Sequence, residues 1–416
     1  MAKQSLINEF TKNFLKLVSG NVIVLALPIF TAPINSRLFN PKDYGFLGVF
    51  LLVVGFFTAL STSGYCHGII ISKSKKDRAN FFNLTLYSTV ISVFLSLLCT
   101  FLLVRFEVFS IPKSNFIYFV SLHVLLQSSI VILQTLINKS GKYGLLTKGR
   151  IVASISAAGI QIFLGYAGFG FKGLVIAYVS SSLVTILFYV FAYRYELIKM
   201  FRLMSHRYSM TLMRLHIRFL KFSTPSEMIN NLIHQVPIYL FTKFFNADQL
   251  GAYIFSERLL GMPFSVMSGA FTELFRKSAS DELNTSGHCR NSFKSTLKTL
   301  LIIAVPVFSV IALGSPFLFE YVFGDKWILS GKIASALSIL YFSRFVVSPL
   351  TYLFILKQKQ KEDFVLHLLM PLWIIAVVYA ANFFGFTQII DMMIFYSCGV
   401  SMIYILYFYK SYKFSR

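Results

Sequence analysis

Two arginines, Arg258 and Arg344, lie inside long apolar stretches of this 416-residue chain, and Arg37 lies near the end of another. A guanidinium group is always charged, and its fixed set of N–H donors matches the oxygens of a phosphate group. Such a charge costs about 2.5–3.5 kcal/mol at the centre of an apolar span, so it must face a cavity or a partner. We therefore expect these arginines to hold an anionic group. Alternatively, Arg258 forms a structural ion pair with Glu227.

A polar stretch at 223–235 is the second feature that could do chemistry. Its ionisable and amide side chains are Glu227, Asn230, Asn231, His234 and Gln235. Glu227, Asn231 and His234 are spaced i, i+4 and i+7, which places them on one face of a helix. Pro225 and Pro237 remove helical hydrogen bonds and permit bending. The pattern predicts a bendable helix that lines a lumen, or else polar groups that satisfy one another between packed helices.

A thinner version of this pattern occurs earlier in the chain. His123, Gln127 and Gln134 recur at helical spacing within an apolar stretch. They could line the opposite wall of the same lumen. A single histidine in such a stretch could equally be a packing residue with its hydrogen bonds satisfied.

Twelve apolar stretches must position these residues. They cover roughly 15–36, 44–72, 81–104, 116–138, 150–169, 171–193, 219–243, 250–275, 298–322, 331–356, 364–384 and 387–409. Each approaches or exceeds the roughly 20 residues that a helix needs to cross a hydrocarbon core of about 30 Å. The sequence therefore predicts twelve transmembrane helices in a lipid bilayer. The first stretch is too long for a signal peptide, and we expect it to remain as an uncleaved span.

The basic residues are distributed unevenly between the gaps that separate these stretches. Of the 39 Lys and Arg residues, 29 fall at the termini and in the even-numbered gaps, and 8 fall in the odd-numbered gaps. Because short cytoplasmic loops carry the Lys/Arg excess, both termini are predicted to be cytoplasmic.

Composition excludes several classes of protein. A mean hydropathy of +0.69 with 56% hydrophobic residues is too apolar for an ordinary soluble domain. The net charge of +23 lies in loops beside the spans, so it does not indicate nucleic-acid binding. The four cysteines lack the spacing of a metal site. Without a Walker A motif, paired intramembrane carboxylates or a compact His–acid motif, we expect neither an enzyme nor a cofactor.

A weak repeat divides the chain into halves. Phe39, Asn40 and Gly45 recur as Phe245, Asn246 and Gly251, at an offset of 206 residues and at equivalent turns of the two halves. Six spans per half make the repeats parallel, related by an axis along the membrane normal. We predict an all-α integral membrane protein of two six-helix bundles, at 1–193 and 219–416, related by a pseudo-two-fold axis. The basic linker 194–218 has the pattern of an amphipathic helix on the inner leaflet, or of a solvated linker.

Several of these motifs carry a family resemblance. They are the turn Leu38–Gly45, the sequence Phe222-Ser223-Thr224-Pro225, the sequence Gly251-Ala252-Tyr253, and Phe323-Gly324-Asp325. With two six-span halves, the chain resembles the Wzx-type polysaccharide and O-antigen lipid flippases of the multidrug/oligosaccharidyl-lipid/polysaccharide (MOP) exporter superfamily. The resemblance covers nearly the whole chain.

The resemblance implies a function in the bacterial cytoplasmic membrane. The substrate would be a polyprenyl-pyrophosphate carrying an oligosaccharide for lipopolysaccharide or capsule assembly, flipped by alternating access. Arg258, Arg344 and Arg37 would hold the pyrophosphate, and polar groups such as Asn230, Asn231, Gln235, His123 and Gln127 would face the sugars. Glu227 or His234 would carry a coupling proton. A polysaccharide polymerase and a chain-length protein are possible partners.

Three alternatives remain open at this stage. A multidrug exporter of the same superfamily would share the architecture but would favour acidic lumen residues. A lipid-II flippase usually carries two further spans. A membrane-embedded polymerase or transferase usually resembles chains with a large outer loop, which this sequence lacks.

Overall fold

The computed structural model describes residues 24, 26–106, 116–217, 219, 221, 224–357, 359–383 and 388–416. Its described part is helical, and no strand occurs among these residues. The long helices are α1 (26–38), α2 (Pro41–Ile71), α3 (Lys75–Arg105), α4 (Phe116–Lys139), α5 (Tyr143–Tyr166), α6 (Gly170–Leu203), α8 (Thr224–Phe244), α9 (Ala247–Ser286), α10 (Arg290–Phe323), α11 (Ile328–Val347), α13 (Gln360–Phe383) and α14 (Ile389–Ser415). The shorter ones are α7 (His206–Leu215) and α12 (Tyr352–Leu356), with 3₁₀ turns at Asp325–Trp327 and Ser348–Thr351.

Nine helical segments in the described part of the chain are long and apolar enough to cross a membrane. They correspond to α2–α6, α10, α11 with its extension to Leu356, α13 and α14. Helices α8 and α9 are outside this set, and both carry ionisable residues within their length. The fold is therefore an all-α, multi-pass membrane architecture, and the full count of twelve spans stays a prediction.

The outward faces of these helices explain their apolar composition. On α10, Val310, Leu313 and Phe317 are exposed by 60%, 79% and 75%. Only 17% of the apolar window of α10 is buried within the protein. A helix that is hydrophobic on its exposed face is stable in lipid and not in water. These side chains therefore mark a lipid-facing surface.

Local capping chemistry fixes where several helices begin and end. The Oγ atom of Ser74 accepts a hydrogen bond from the backbone N–H of Asp77 at 2.9 Å and caps α3. Asn246 and Gln249 form a reciprocal capping box at the start of α9. At the other end of α9, Gly287 adopts φ +75°, a left-handed conformation that favours glycine. These caps satisfy backbone groups that the helix ends leave unpaired.

The described chain forms two compact units. The first consists of Met1–Phe39 and Phe46–Gln235, and the second consists of Asn40–Gly45 and Val236–Arg416. The start of α2 thus belongs to the second unit. Compact units reflect local packing rather than membrane topology, so the predicted division into 1–193, 194–218 and 219–416 stays a prediction.

In the first unit, α7 is held on α3 by a buried hydrogen-bond network. The Oγ atom of Ser209 donates to Oδ1 of Asn80 at 2.9 Å and accepts from Nδ2 of Asn83 at 3.0 Å. The hydroxyl of Tyr208 donates to Asp77 at 2.6 Å, and this hydrogen bond raises the pKa of Tyr208. Within the linker predicted at 194–218, α6 continues to Leu203 and α7 docks as a separate basic helix.

In the second unit, the two repeated turns pack against each other through their glycines. A Cβ atom on Gly45 would lie 2.0 Å from the backbone oxygen of Ala247, and one on Gly251 would lie 1.7 Å from that of Pro41. Since Ala247 is 206 residues after Pro41, and Gly251 is 206 after Gly45, the contact is reciprocal between equivalent repeat positions. Only glycine permits this backbone approach.

Candidate functional site: a polar cavity and an arginine cluster

A cavity of about 360 Å³ lies between α2 and α4 in the first unit. Its apolar wall is built from aliphatic side chains that include Leu51, Val54 and Val131. The polar groups that line it are Thr58, Thr62, His123 and Gln127. A mostly apolar cavity with a few polar groups is the usual form of a small-molecule binding site. This α2–α4 cavity is therefore the first part of the candidate site.

Three buried polar atoms at or beside the cavity have no hydrogen-bond partner among the described residues. They are Nδ1 of His123, Oγ1 of Thr58 and Oε1 of Gln235. Gln235 reaches the cavity wall at Gly55, where a Cβ atom would lie 2.4 Å from its Nε2 atom. A buried polar group without a partner costs about 1–3 kcal/mol. A cluster of buried polar atoms without hydrogen-bond partners is expected where a ligand supplies those partners.

The imidazole of His123 is fixed in place by its neighbours. It is fully buried, and its ring centroid lies 5.4 Å from that of Phe50 and 6.3 Å from that of Tyr178. Its Nε2 atom lies 3.5 Å from Nε2 of Gln127, which also approaches Oγ of Ser182 at 3.5 Å. The aromatic contacts hold the ring and leave its Nδ1 atom available for a hydrogen bond to a ligand. His123 and Gln127 thus line the same cavity, and their contact with substrate stays a prediction.

Gln134 lies away from this group. Its Nε2 atom donates to the hydroxyl of Tyr189 at 3.4 Å, and that hydroxyl donates to the backbone oxygen of Leu146 at 3.1 Å. The ring of Tyr189 is fully buried against Gly149. Gln134 is therefore part of a packing contact between helices.

Thr58 was not singled out in the sequence, although a signal for it exists. Gly55, Thr58 and Thr62 follow one another at i, i+3 and i+7 within α2. That spacing places small and polar side chains on one face of the helix. The signal is weak because threonine and glycine are also common where membrane helices pack.

The polar segment of α8 is described only in part. The side chains of Glu227, Asn230, Asn231 and His234 lie outside the described part of the structure. Their roles at a lumen and in proton transfer stay predictions.

The second unit contains a separate group of charged and phenolic side chains around Arg344. The Arg344 guanidinium stacks over the ring of Phe264, 4.9 Å from its centroid. Glu257, Tyr341, Tyr396 and Tyr404 are among the residues that lie within electrostatic range of this guanidinium group. The hydroxyl of Tyr341 donates to the backbone oxygen of Glu257 at 3.4 Å. We name Glu257, Tyr341, Arg344, Tyr396 and Tyr404 the Arg344 cluster.

The cluster combines an anion-binding group with its own acid. Tyr341 and Tyr404 are buried, while Glu257, in the first third of α9, is exposed at the protein surface. An ionisable residue that stays accessible within a membrane helix faces a water-filled space or a partner. The sequence did not link Glu257 with Arg344, because 87 residues separate them.

The other two predicted arginines lie at different places. Arg258 is half-buried in α9 of the second unit, and Arg37 is exposed near the end of α1 in the first unit. The structure therefore brings Arg344 and Glu257 together, and it brings together His123, Gln127 and Gln235. In the described part of the chain, no group of three His, Cys, Asp or Glu side chains could hold a metal ion.

Comparison with solved structures identifies the fold. The fold matches that of the lipid II flippase MurJ in an inward closed conformation, with a TM-score of 0.74 at 14% identity over 97% of this chain and 87% of that one. It also matches an inward-facing multidrug resistance MATE family transporter of the MOP superfamily, with a TM-score of 0.62 at 16% identity over 95% and 97% of the two chains. A MOP superfamily transporter from Pyrococcus furiosus matches with a TM-score of 0.61, at 12% identity over 96% and 94%. The chain therefore has the fold of the MOP-superfamily transporters.

Sequence comparison then identifies the family. A family model described as "Polysaccharide biosynthesis protein" (Polysacc_synt_3) matches residues 34–332, and the chain belongs to this family. It is also 23% identical over 357 residues to the succinoglycan biosynthesis transport protein ExoT of Rhizobium meliloti strain 1021, covering 82% of this chain and 67% of ExoT. The resemblance read from the sequence motifs is thereby confirmed: this is a membrane transport protein of polysaccharide biosynthesis.

Proposed function

We propose that this protein flips polyprenyl-pyrophosphate-linked oligosaccharide units from the inner to the outer leaflet of the bacterial cytoplasmic membrane. The observation that carries the proposal is membership of the polysaccharide biosynthesis family across residues 34–332. The similarity to a succinoglycan biosynthesis transport protein points to the same process. The units would serve assembly of a surface polysaccharide such as O-antigen or capsule, with a polymerase and a chain-length protein as partners.

The chemistry of the substrate explains why such a protein is needed. Sugar hydroxyls and a charged pyrophosphate cannot enter hydrocarbon without a large loss of hydration free energy. A prenyl tail has no such cost and can stay in the lipid. In the proposed mechanism, two six-helix bundles alternate between inward and outward access around the polar part of the substrate.

We assign the two polar groups different parts of the substrate. Arg344 and Arg258, with Arg37, would hold the pyrophosphate, because guanidinium groups bind phosphate oxygens in pairs. The α2–α4 cavity has no charged lining residue in the described structure, and its unpartnered His123 and Thr58 atoms suit sugar hydroxyls, which both donate and accept hydrogen bonds. Asn230, Asn231 and Gln235 would extend this sugar-facing surface.

Energy for the cycle would come from an ion gradient. Glu227 and His234 are the proposed proton carriers, because both titrate and both belong to the polar face predicted for α8. We expect transport to slow when the proton gradient is collapsed at constant membrane potential. Transport that continues at the same rate would remove proton coupling from the mechanism.

The test is the lipid-linked precursor pool after depletion of the protein in its native host. We expect complete oligosaccharide units on polyprenyl pyrophosphate to accumulate in the inner leaflet, where their mass identifies the repeat unit. Complete units that reach the outer leaflet but remain unpolymerised would indicate a polymerase instead. An unchanged pool with altered drug sensitivity would indicate an exporter, and accumulated lipid II would indicate a peptidoglycan precursor flippase.

A further inference from the structure

A pocket rich in positive charge lies at one end of the second unit, apart from the Arg344 cluster. It has a volume of about 510 Å³ and is formed by the turn after α12, the first turn of α13 and the end of α14. Five cationic side chains line it: Lys357, Lys359, Lys410, Lys413 and Arg416. Glu362 is the acidic lining residue, so the lining side chains carry an excess of four positive charges. We name it the basic end pocket.

The carboxylate of Glu362 neutralises only part of the positive charge of the pocket. This carboxylate forms an ion pair with Lys410 at 2.7 Å and a longer one with Lys359 at 3.9 Å. Neither Lys357 nor Lys413 forms an ion pair with an acidic residue of the described structure. Like charges held together without an anion repel one another. The arrangement therefore favours an additional anion.

Helix electrostatics account for some of these cations and not for others. Lysines near the C-terminus of α14, such as Lys410 and Lys413, are stabilised by the negative end of that helix. Lys357 is the C-cap residue of α12, where the negative end of that helix favours a cation. Lys359 instead directly precedes α13, whose positive N-terminal end disfavours a cation. The position of Lys359 is unfavourable unless negative charge lies beside it, and the nearby carboxylate of Glu362 is shared with Lys410.

The pocket also has the surroundings of a membrane surface. It lies at the ends of three segments that are apolar enough to cross a membrane. Tyr409 and Phe414 contribute aromatic rings to its wall, and Tyr409 is 65% exposed. Aromatic and basic residues are enriched where membrane helices meet the lipid headgroups, and basic pockets between helices bind anionic headgroups.

We propose that the basic end pocket binds a phosphate-bearing anion at the level of the lipid headgroups. A phosphate presents several acceptor oxygens and can contact Lys357, Lys413 and Arg416 at once, which a single carboxylate could not do as well. The phosphate belongs either to a phospholipid headgroup or to a soluble phosphate compound. This proposal does not depend on the substrate that the protein transports.

The experiment uses the full chain purified in detergent and native mass spectrometry of bound lipid. Phosphatidylglycerol is the anionic probe and phosphatidylcholine is the reference without net charge. The variant Lys357→Gln/Lys413→Gln breaks no ion pair of the described structure. It should retain phosphatidylglycerol about 25-fold more weakly, since each of the two basic residues at an anionic surface contributes about fivefold. Lys294→Gln/Lys298→Gln, two exposed lysines of α10, is the matched control and should retain it normally.

A second arm separates the two sources of phosphate. Inorganic pyrophosphate is titrated onto the same three proteins, and binding is followed by thermal shift. Phosphatidylglycerol retention that depends on Lys357 and Lys413 assigns the pocket to a phospholipid. Pyrophosphate binding with the same dependence, and no selective lipid retention, assigns it to a soluble phosphate. The proposal would be overturned if the wild type and the pocket variant retained phosphatidylglycerol equally and also showed equal melting temperatures with pyrophosphate.

Discussion

His123 is a fully buried imidazole whose Nδ1 atom has no hydrogen-bond partner among the described residues. Thr58 and Gln235 bring two more such atoms to the same part of the first unit. Proteins retain groups that reduce their own stability mainly where function requires them. At the residue scale, replacing an unpartnered polar group of the α2–α4 cavity should therefore lower transport without lowering stability.

Replacing His123 by Leu should separate these two properties. The substitution removes the unpartnered Nδ1 atom, so the melting temperature should stay the same or rise, because an unsatisfied buried group costs about 1–3 kcal/mol. Export of the polysaccharide should fall at least tenfold if the imidazole contacts substrate. Thermal unfolding in detergent and complementation of a deletion strain measure the two effects.

Gln134→Leu is the matched control, since it lies on the same helix. It loses the hydrogen bond to Tyr189, so its stability should decrease by about 1 kcal/mol while transport continues. If His123→Leu also transports normally, His123 is a packing residue.

Arg344 tests whether the cluster holds an anion. Arg344→Gln should abolish export while the protein still reaches the membrane, because a neutral amide cannot bind pyrophosphate through charge. The same loss would follow if Arg344 merely balanced Glu257. The double variant Arg344→Gln/Glu257→Gln distinguishes the two, since it removes both charges. We expect it to remain inactive; recovery of export would show that Arg344 serves only to neutralise Glu257.

At the scale of the elements, the two repeated turns bring the first residues of α2 and α9 into contact. The glycines at positions 45 and 251 recur in the sequence, but the reason is visible only in the structure, where each lies against the backbone of the other turn. Lys326 adds a hydrogen bond from its Nζ atom to Oδ1 of Asn40 at 2.9 Å. The recurrence of glycine at the same position of the two turns thus reflects a close backbone contact between them.

Gly251→Ala should disrupt this contact. Its Cβ atom would lie 1.7 Å from the backbone oxygen of Pro41, so one helix start must move. Overpacking of this kind costs about 1–3 kcal/mol, and we expect a lower melting temperature and reduced yield. Gly269→Ala, in the same helix with open space around it, should be neutral or stabilise by about 0.5–1 kcal/mol. Equal stability of the two variants would contradict the packing described for the turns.

At the scale of the whole molecule, the distribution of basic residues predicts the orientation. With 29 Lys and Arg residues on one predicted side and 8 on the other, both termini should be cytoplasmic. Reporter fusions after Gly287 and Arg416 should be active only as cytoplasmic reporters, and a fusion after Gly324 only as an exported one. Reporters at Gly287 and Arg416 on opposite sides would show that the twelve-span count is wrong, and inversion of all three reporters would show that the orientation is wrong.

The sequence by itself determined the membrane class and the helix positions, because apolar stretches about 20 residues long have few stable alternatives in lipid. It also pointed to His123 and Gln127, since helical spacing alone puts residues four apart on one face. Glu227 and His234 remain predictions from the same rule.

Only the tertiary structure decided which distant residues meet. It placed Glu257 within electrostatic range of Arg344, added Thr58 to the cavity and assigned Gln134 to packing. It also gathered lysines from the ends of α12, α13 and α14 into one pocket. Contacts between helices depend on how the side chains of many residues pack against each other. No local pattern in the chain determines which helices pack together. Periodicity gives the face of each helix, whereas the partner of that face follows from the packing of the whole unit.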